Sequence, residues 1–236
     1  MGKNLQITND IEKYISDNSL NLSPIQKEII SYNKSLGEIK KMQIAESQCH
    51  FLHLLIKTSN VKKILEIGTF TGLSTVSMLQ ALPDDGELIA LDKNKKTSDV
   101  AFNYIKKANQ ENKIKLIVKP ALESIKILKK EGKKFDLIFI DADKENYKNY
   151  YDHSIDLIKK NGLIIIDNVL WYGDVVKKNG FILIDNVLWH GDVVDPSKKD
   201  ALTVSIREFN SFIKKDDRIE KTILPLGDGV TICRKK

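Results

Sequence analysis

A chain of 236 residues is long enough for one domain with a substantial core and short for two. Its apolar fraction of 42% and charged fraction of 30% are ordinary for a water-soluble globular protein, and no run approaches the ~18 apolar residues of a membrane span, which excludes a membrane partner. The 38 Lys and Arg against 32 Asp and Glu give a net charge of +6; the lysines fall in scattered pairs such as Lys62-Lys63, Lys95-Lys96, Lys129-Lys130 and Lys214-Lys215, the pattern of solvated faces, so nucleic acid stays open as a partner but is not favoured.

In chain order, Met1-Gly2-Lys3-Asn4-Leu5-Gln6 has no apolar leader core and no Ser or Thr for a myristoylation signal, so a cytoplasmic location is expected. Asn9 or Asp10 can cap a short helix with Ile11, Tyr14 and Ile15 on one face. Ser23-Pro24-Ile25-Gln26 opens a second, with Ser as cap, Pro in the first turn and Gln closing a capping box. A third, Ala45 to Lys57, carries Phe51, Leu52, Leu55 and Ile56 on an apolar stripe. Cys49 and Cys233 are too few and too far apart for a disulfide framework and suit a reducing compartment.

From Val61 strands and helices alternate. The strands are Lys63–Ile67, Leu88–Asp92, Ile114–Val118 and Asp136–Asp141, separated by helices from Thr71, over Ser98–Ala108 and over Ala121–Glu131. Helix Glu145–Lys159 and a fifth strand follow, then helix Asp200–Lys214 and strands Thr222–Leu226 and Val230–Arg234. Such alternation predicts an α/β, Rossmann-like fold: a seven-stranded, mostly parallel sheet with helices on both faces. The short Gly227-Asp228-Gly229 link makes the last pair an antiparallel hairpin. Residues 1–44 read as an N-terminal helical appendage and 45–236 as the domain. Ligands of such sheets bind beyond the carboxyl ends of the strands.

The fifth strand is written twice. Lys159 to Val176 is followed at once by an 18-residue copy, Lys177 to Val194, which differs only at Phe181, Leu183 and His190. Each copy is a Gly, four apolar residues, Asp-Asn and a Trp-containing loop, so the chain holds two candidates for one strand. Two units are too few for a solenoid. The doubling is either a recent tandem duplication or an assembly artefact on the one hand, or a functional doubling on the other.

Ile64-Leu65-Glu66-Ile67-Gly68-Thr69-Phe70-Thr71-Gly72-Leu73-Ser74 is a strand, a glycine turn and a helix start. It is not the phosphate cradle, which wants glycines two and five apart and no acid before them. Glu66 before the glycines and Asp92 at the end of the second strand, placed to accept from a ribose diol, suit a nucleoside with positive charge and no phosphates, which describes S-adenosylmethionine. The plainer alternatives are a helix-dipole partner for Glu66 and a helix cap for Asp92. Asp141 ends the fourth strand and Asp167-Asn168 the next; neighbouring strands lie ~4.8 Å apart, so these oxygens can meet. Two such carboxylates share a proton or hold a cation, and with a carboxamide as third ligand the cation is hard: Mg²⁺, Mn²⁺ or Ca²⁺. Separate loop caps are the alternative. Lys144 is either a base or electrostatic partner or a surface lysine.

Together Glu66-Ile-Gly-Thr-Phe-Thr-Gly, Asp141-Ala-Asp-Lys-Glu-Asn-Tyr, Asp167-Asn-Val-Leu-Trp and Leu226-Gly-Asp-Gly-Val-Thr-Ile-Cys-Arg resemble the cation-dependent O-methyltransferases of the caffeoyl-CoA and catechol type, from about Met42 to the C-terminus. The resemblance implies a class I methyltransferase fold, a homodimer, and methyl transfer from S-adenosylmethionine to one hydroxyl of a small-molecule vicinal diol. It implies that Glu66, Gly68, Thr69, Ser74, Asp92, Ala121 and Asp143 bind the cofactor, with the backbone near Ile44. It implies further that Asp141, Asp167 and Asn168 hold the metal and that Lys144 assists deprotonation. Within the same resemblance the acceptor could instead be a hydroxylated uridine in tRNA. A different class, a catalytically silent S-adenosylmethionine-binding protein, follows if the doubled strand spoils the site.

The chain departs from the family twice. Ser47-Gln48-Cys49-His50 replaces a Glu-Gly-Gln-like run, which bears on acceptor-side contacts, and the doubled strand offers Asp185-Asn186 as an alternative metal pair. Asp141 to Asp167 is 26 residues, the family's gapless spacing, which favours copy one as the fifth strand. Copy two, however, runs into Asp195-Pro196 and the next helix as the family does. With copy one in the sheet, the extra residues are expected to hang over the catalytic face; with copy two, to bulge at the opposite edge.

Overall fold

The apolar run beginning at Lys63 forms the first strand, β1 (Lys63–Ile67), and later runs add β2 (Glu87–Asp92), β3 (Ile114–Val118), β4 (Phe135–Ile140) and β5 (Ile158–Ile166). In the computed structural model, which describes residues 8, 14, 18–19, 21–143, 146–167, 181–184, 187–215, 219–224 and 230–235, these five lie parallel in the order β3-β2-β1-β4-β5. The helices are α1 (Pro24–Lys34), α2 (Glu46–Thr58), α3 (Leu73–Ala81), α4 (Lys95–Lys107), α5 (Ala121–Lys130), α6 (Tyr147–Leu157) and α7 (Ala201–Lys215). Of the helix expected after Asn9, Tyr14 is described: it is helical and 69% exposed, and its carbonyl accepts the Asn18 N–H at 3.1 Å; Ile11 and Ile15 fall outside the described residues. None of the described helices is long and apolar enough to cross a membrane.

Successive strand residues face opposite sides of the sheet, and both sides are buried. On one, Leu65, Ile67, Leu91 and Ile138 pack with Ile125 and Leu128 of α5 and with Tyr150 and Leu157 of α6. On the other, Ile64, Leu88, Leu137 and Phe139 meet Leu52 and Ile56 of α2, Val76 and Leu79 of α3 and Ile105 of α4. Leu22, Ile29 and Ile44 join this second layer. Helix α3 has no apolar stripe because it is buried nearly all round, from Leu73 to Leu79.

Local chemistry sets the element ends. Gly72 caps α3 with φ +89°, so the helix starts at Leu73 and not at Thr71. Helix α4 starts earlier than expected, because the Asn94 side chain accepts the N–H groups of Lys96 and Thr97. Strand β5 begins at Ile158, where a helix was expected to run on. A register shift separates the Phe135–Ile158 pair from the Leu137–Leu163 pair, and Asn161 at φ +63° turns the chain inside it.

The doubled segment changes the strand count. Beyond β5 the sheet continues with β6 (Phe181–Ile184), which is copy two, and then with the antiparallel pair β8 (Val230–Lys235) and β7 (Ile219–Leu224). Among the described residues the sheet therefore has eight strands where seven were expected, and each copy contributes one of them. β6 lies parallel to β5 with Leu163 opposite Phe181 and Ile166 opposite Ile184, so each residue faces its own copy 18 positions on. Copy one pairs with β4, and copy two pairs with β8. The two edges of the single expected strand are thus divided between the copies. The physical reason is that the second Gly-led strand pairs its backbone N–H and C=O groups on both edges inside the sheet, with β5 on one side and β8 on the other.

Candidate active site

The strand order reverses between β1 and β4, and in an open parallel sheet the crevice beyond the strand ends at such a point is where ligands bind. Here Gly68 leaves β1 at φ +95°, and a Cβ on it would lie 1.8 Å from the Asp141 carbonyl oxygen. The Asp141 N–H donates to the Ile67 carbonyl at 2.8 Å, and the Gly68 N–H to that of Leu91 at 2.9 Å. Only glycine allows the backbones to approach this closely with a left-handed φ.

The turn is built on acids. Glu66 is fully buried and accepts from Ser74 Oγ at 2.5 Å and Thr75 Oγ1 at 2.6 Å. Burial pushes its carboxyl up to about 8, against the pull of those two hydroxyls and with smaller pushes from the Asp141 and Asp92 carboxylates. One oxygen of Asp92 accepts the N–H groups of Thr69 at 3.0 Å and Phe70 at 2.9 Å; the other accepts that of Asn94 at 2.7 Å. Asp92 thus caps the glycine turn, and a carboxylate with about four acceptor sites has capacity left for a diol. Within the turn, Thr69 Oγ1 and Thr71 Oγ1 are buried without a hydrogen-bond partner among the described residues, an arrangement that a polar ligand at the turn would relieve. The glycine approach, the acids and the orphaned hydroxyls fit a cationic nucleoside cofactor.

Asp143, two residues beyond Asp141, accepts from Tyr150 Oη at 2.7 Å and from Asn146 Nδ2, with Lys93 Nζ at 3.8 Å. Burial pushes its carboxyl up, but the Asn146 and Tyr150 hydrogen bonds and the Lys93 charge outweigh this and hold it below its ordinary range. Burial and the Asp143 carboxylate in turn raise the Tyr150 phenol, which remains a donor.

The β4–β5 register carries Ile140 opposite Ile166, and the Asp167 N–H donates to the Ile140 carbonyl at 2.9 Å. Asp141 and Asp167 are therefore lateral neighbours at the ends of adjacent strands, at the ~4.8 Å spacing of a sheet. Asp167 is 2% exposed and accepts from Gln48 Nε2 of α2 at 3.0 Å. Oxygen donors of this kind are the type that would suit a hard cation rather than a soft one. Among the described residues no group of three or more His, Cys, Asp or Glu side chains is arranged to hold a metal ion.

Of the residues singled out in the sequence, Glu66, Gly68, Thr69, Ser74, Asp92, Asp141, Asp143 and Asp167 surround the strand ends, while Ile44 is 5% and Ala121 9% exposed. The hydroxyl of Ser74 is engaged by Glu66. Lys144, Asn168, Asp185 and Asn186 lie outside the described residues. The sequence reading did not assign Thr75, Tyr150 or Gln48 to the site. The first two meet their carboxylates through tertiary approach and leave no signal in spacing; Gln48 does leave one, as the third residue after the helix cap.

With this geometry in view, comparison with known proteins gives a consistent answer. The profile of a family described as O-methyltransferase matches residues 16–180 and again 174–236, a match interrupted at the doubled segment. A probable caffeoyl-CoA O-methyltransferase 1 of Dictyostelium discoideum is 37% identical over 233 residues, covering 98% of this chain and 94% of its own. The caffeoyl-CoA O-methyltransferase of Populus kitakamiensis is 35% identical over 207 residues, 86% of this chain and 82% of its own. Among solved structures, the O-methyltransferase of Bacillus cereus in complex with S-adenosylhomocysteine superposes with a TM-score of 0.74 at 27% identity, covering 96% and 97% of the two chains. A methyltransferase of Podospora anserina, also with S-adenosylhomocysteine bound, gives 0.75 at 25% identity over the whole of both chains. The chain belongs to the S-adenosylmethionine-dependent O-methyltransferase family.

Proposed function

We propose that this O-methyltransferase acts on a catechol-like small molecule and depends on a divalent cation held by Asp141, Asp167 and Asn168. The observation that carries the reading is the lateral pairing of Asp141 and Asp167 beside the glycine turn. The caffeoyl-CoA named for the relatives supports it, since a caffeoyl group carries two adjacent ring hydroxyls. When bound, a cation held by Asp141, Asp167 and Asn168 would lower the pKa of the attacking hydroxyl.

The residues of the chain do the rest by placement. Gly68 and the Asp92-capped turn seat the nucleoside end of the cofactor, and Glu66 fixes the start of α3 behind it. Asp143, two residues beyond Asp141, is held by Tyr150 and Asn146. Lys144 stands next in sequence to take up the hydroxyl proton. Positioning of acceptor oxygen against sulfonium methyl then supplies most of the acceleration, without a covalent enzyme intermediate. A homodimer and a cytoplasmic site of action belong to the same reading.

The test is turnover of a catechol with S-adenosylmethionine and Mg²⁺. Activity should vanish with EDTA, return on adding Mg²⁺, and be lost in Asp141→Ala. Full turnover in EDTA would remove the cation from the account.

A further inference from the structure

Gln48 belongs to the run in which the chain departs from its family, and its side chain joins two parts of the site. Its Oε1 accepts the Ala45 N–H at 2.7 Å, and its Nε2 donates to Asp167 Oδ1 at 3.0 Å, across 119 residues of sequence. Neither contact leaves the amide's orientation open: a backbone N–H can only donate, so the oxygen must face Ala45 and the NH₂ must face Asp167. Ala45 itself has no side chain with which to cap α2, so Gln48 supplies only the returning half of a capping box. The chain thus begins α2, next to the buried Ile44, with a residue whose other end reaches the buried carboxylate at the end of β5.

We propose that Gln48 is a positioning residue for the cation site: it holds the Asp167 carboxyl group in the orientation that pairs it with Asp141. The proposal rests on the metal reading above. The amide supplies a hydrogen-bond donor to the Asp167 oxygen and adds no charge of its own. Groups behind a ligand that fix its orientation govern metal affinity without touching the metal. The two hydrogen bonds of one side chain thus link the start of α2 to the Asp167 carboxyl oxygen.

The test uses the full chain and Mn²⁺ alone, followed by electron paramagnetic resonance, with S-adenosylhomocysteine titrated by calorimetry in parallel. Wild type should bind Mn²⁺, Asp167→Asn should lose it, and Gln48→Met, similar in size but without the amide, should weaken it roughly 10- to 100-fold while S-adenosylhomocysteine affinity stays unchanged. A second variant, Ala45→Pro, keeps Gln48 but removes the N–H that orients it, and Ala45 already has a proline-like φ of −69°; it should weaken Mn²⁺ in the same direction by less. Mn²⁺ affinity equal to wild type in both variants overturns the role of Gln48 and leaves the metal reading standing. Equal loss of S-adenosylhomocysteine and Mn²⁺ in Gln48→Met overturns it as well, by making the residue merely structural. No Mn²⁺ binding by wild type, or full binding by Asp167→Asn, overturns the metal reading and the proposal with it.

Discussion

Gly68 is the residue on which the crevice depends most directly. An alanine there meets both a left-handed φ, at about 1–2 kcal/mol for an L-residue, and a carbonyl oxygen 1.8 Å from its Cβ. Gly68→Ala is therefore expected to lower the urea midpoint and abolish S-adenosylhomocysteine binding in calorimetry; unchanged binding would mean that β1 and β4 part at no cost. Glu66 gives a pH signature. Its folded pKa, about 8, lies above the ordinary 4.5, so between these values the folded chain keeps a proton that the unfolded chain has lost. This contribution is fully present below the ordinary value and declines as pH rises through the folded one. Glu66→Gln, measured without cofactor by urea unfolding at pH 6 and pH 9, should flatten that decline. The sequence disclosed that Glu66 and Asp92 matter but not what they touch. Read as acceptors for a ligand, they are also the internal supports of the turn, bonded to Ser74, Thr75, Thr69 and Phe70. Partners of that kind come from chain segments brought together in three dimensions, and no spacing rule announces them.

At the scale of elements, strand and helix order was legible because each apolar run is closed by glycine, proline or a polar cap. The fate of the doubled strand was not. A reading by pattern assigns one place in the sheet to one strand and has to evict the other, whereas hydrogen bonding favours pairing both. The result is a sheet in which copy one keeps the β4 side and copy two the β8 side. Copy two also keeps its onward contacts: Asn210 Nδ2 donates to the Val187 carbonyl at 2.8 Å, and the Arg207 guanidinium binds the carbonyls of Asp192, Val193, Asp195 and Lys198. Since each copy retains one side of the same sequence, removing residues 167–184 joins Ile166 to Asp185 and leaves a single strand able to pair on both edges. That deletion should fold cooperatively, with a urea midpoint at or above that of the full chain. A deletion variant that is unfolded by circular dichroism would mean that β6 has become indispensable to the sheet.

For the molecule as a whole, the charge of +6 and the character of the site have opposite signs. Asp92, Asp141, Asp143 and Asp167 gather at the carboxyl ends of the strands, while the paired lysines lie dispersed along the chain. A crevice lined by carboxylates attracts a sulfonium and a divalent cation and repels phosphate, which is why net charge alone is a poor guide to the substrate. Copy one, and not copy two, stands beside β4, so on the proposed metal reading Asp167 and not Asp185 neighbours Asp141. The most direct measurement compares methyl transfer to a catechol, with Mg²⁺ present, in Asp167→Asn and in Asp185→Asn. Asp167→Asn should be inactive and Asp185→Asn should retain most of the wild-type rate. The reverse pattern, or full activity in both, would contradict the assignment.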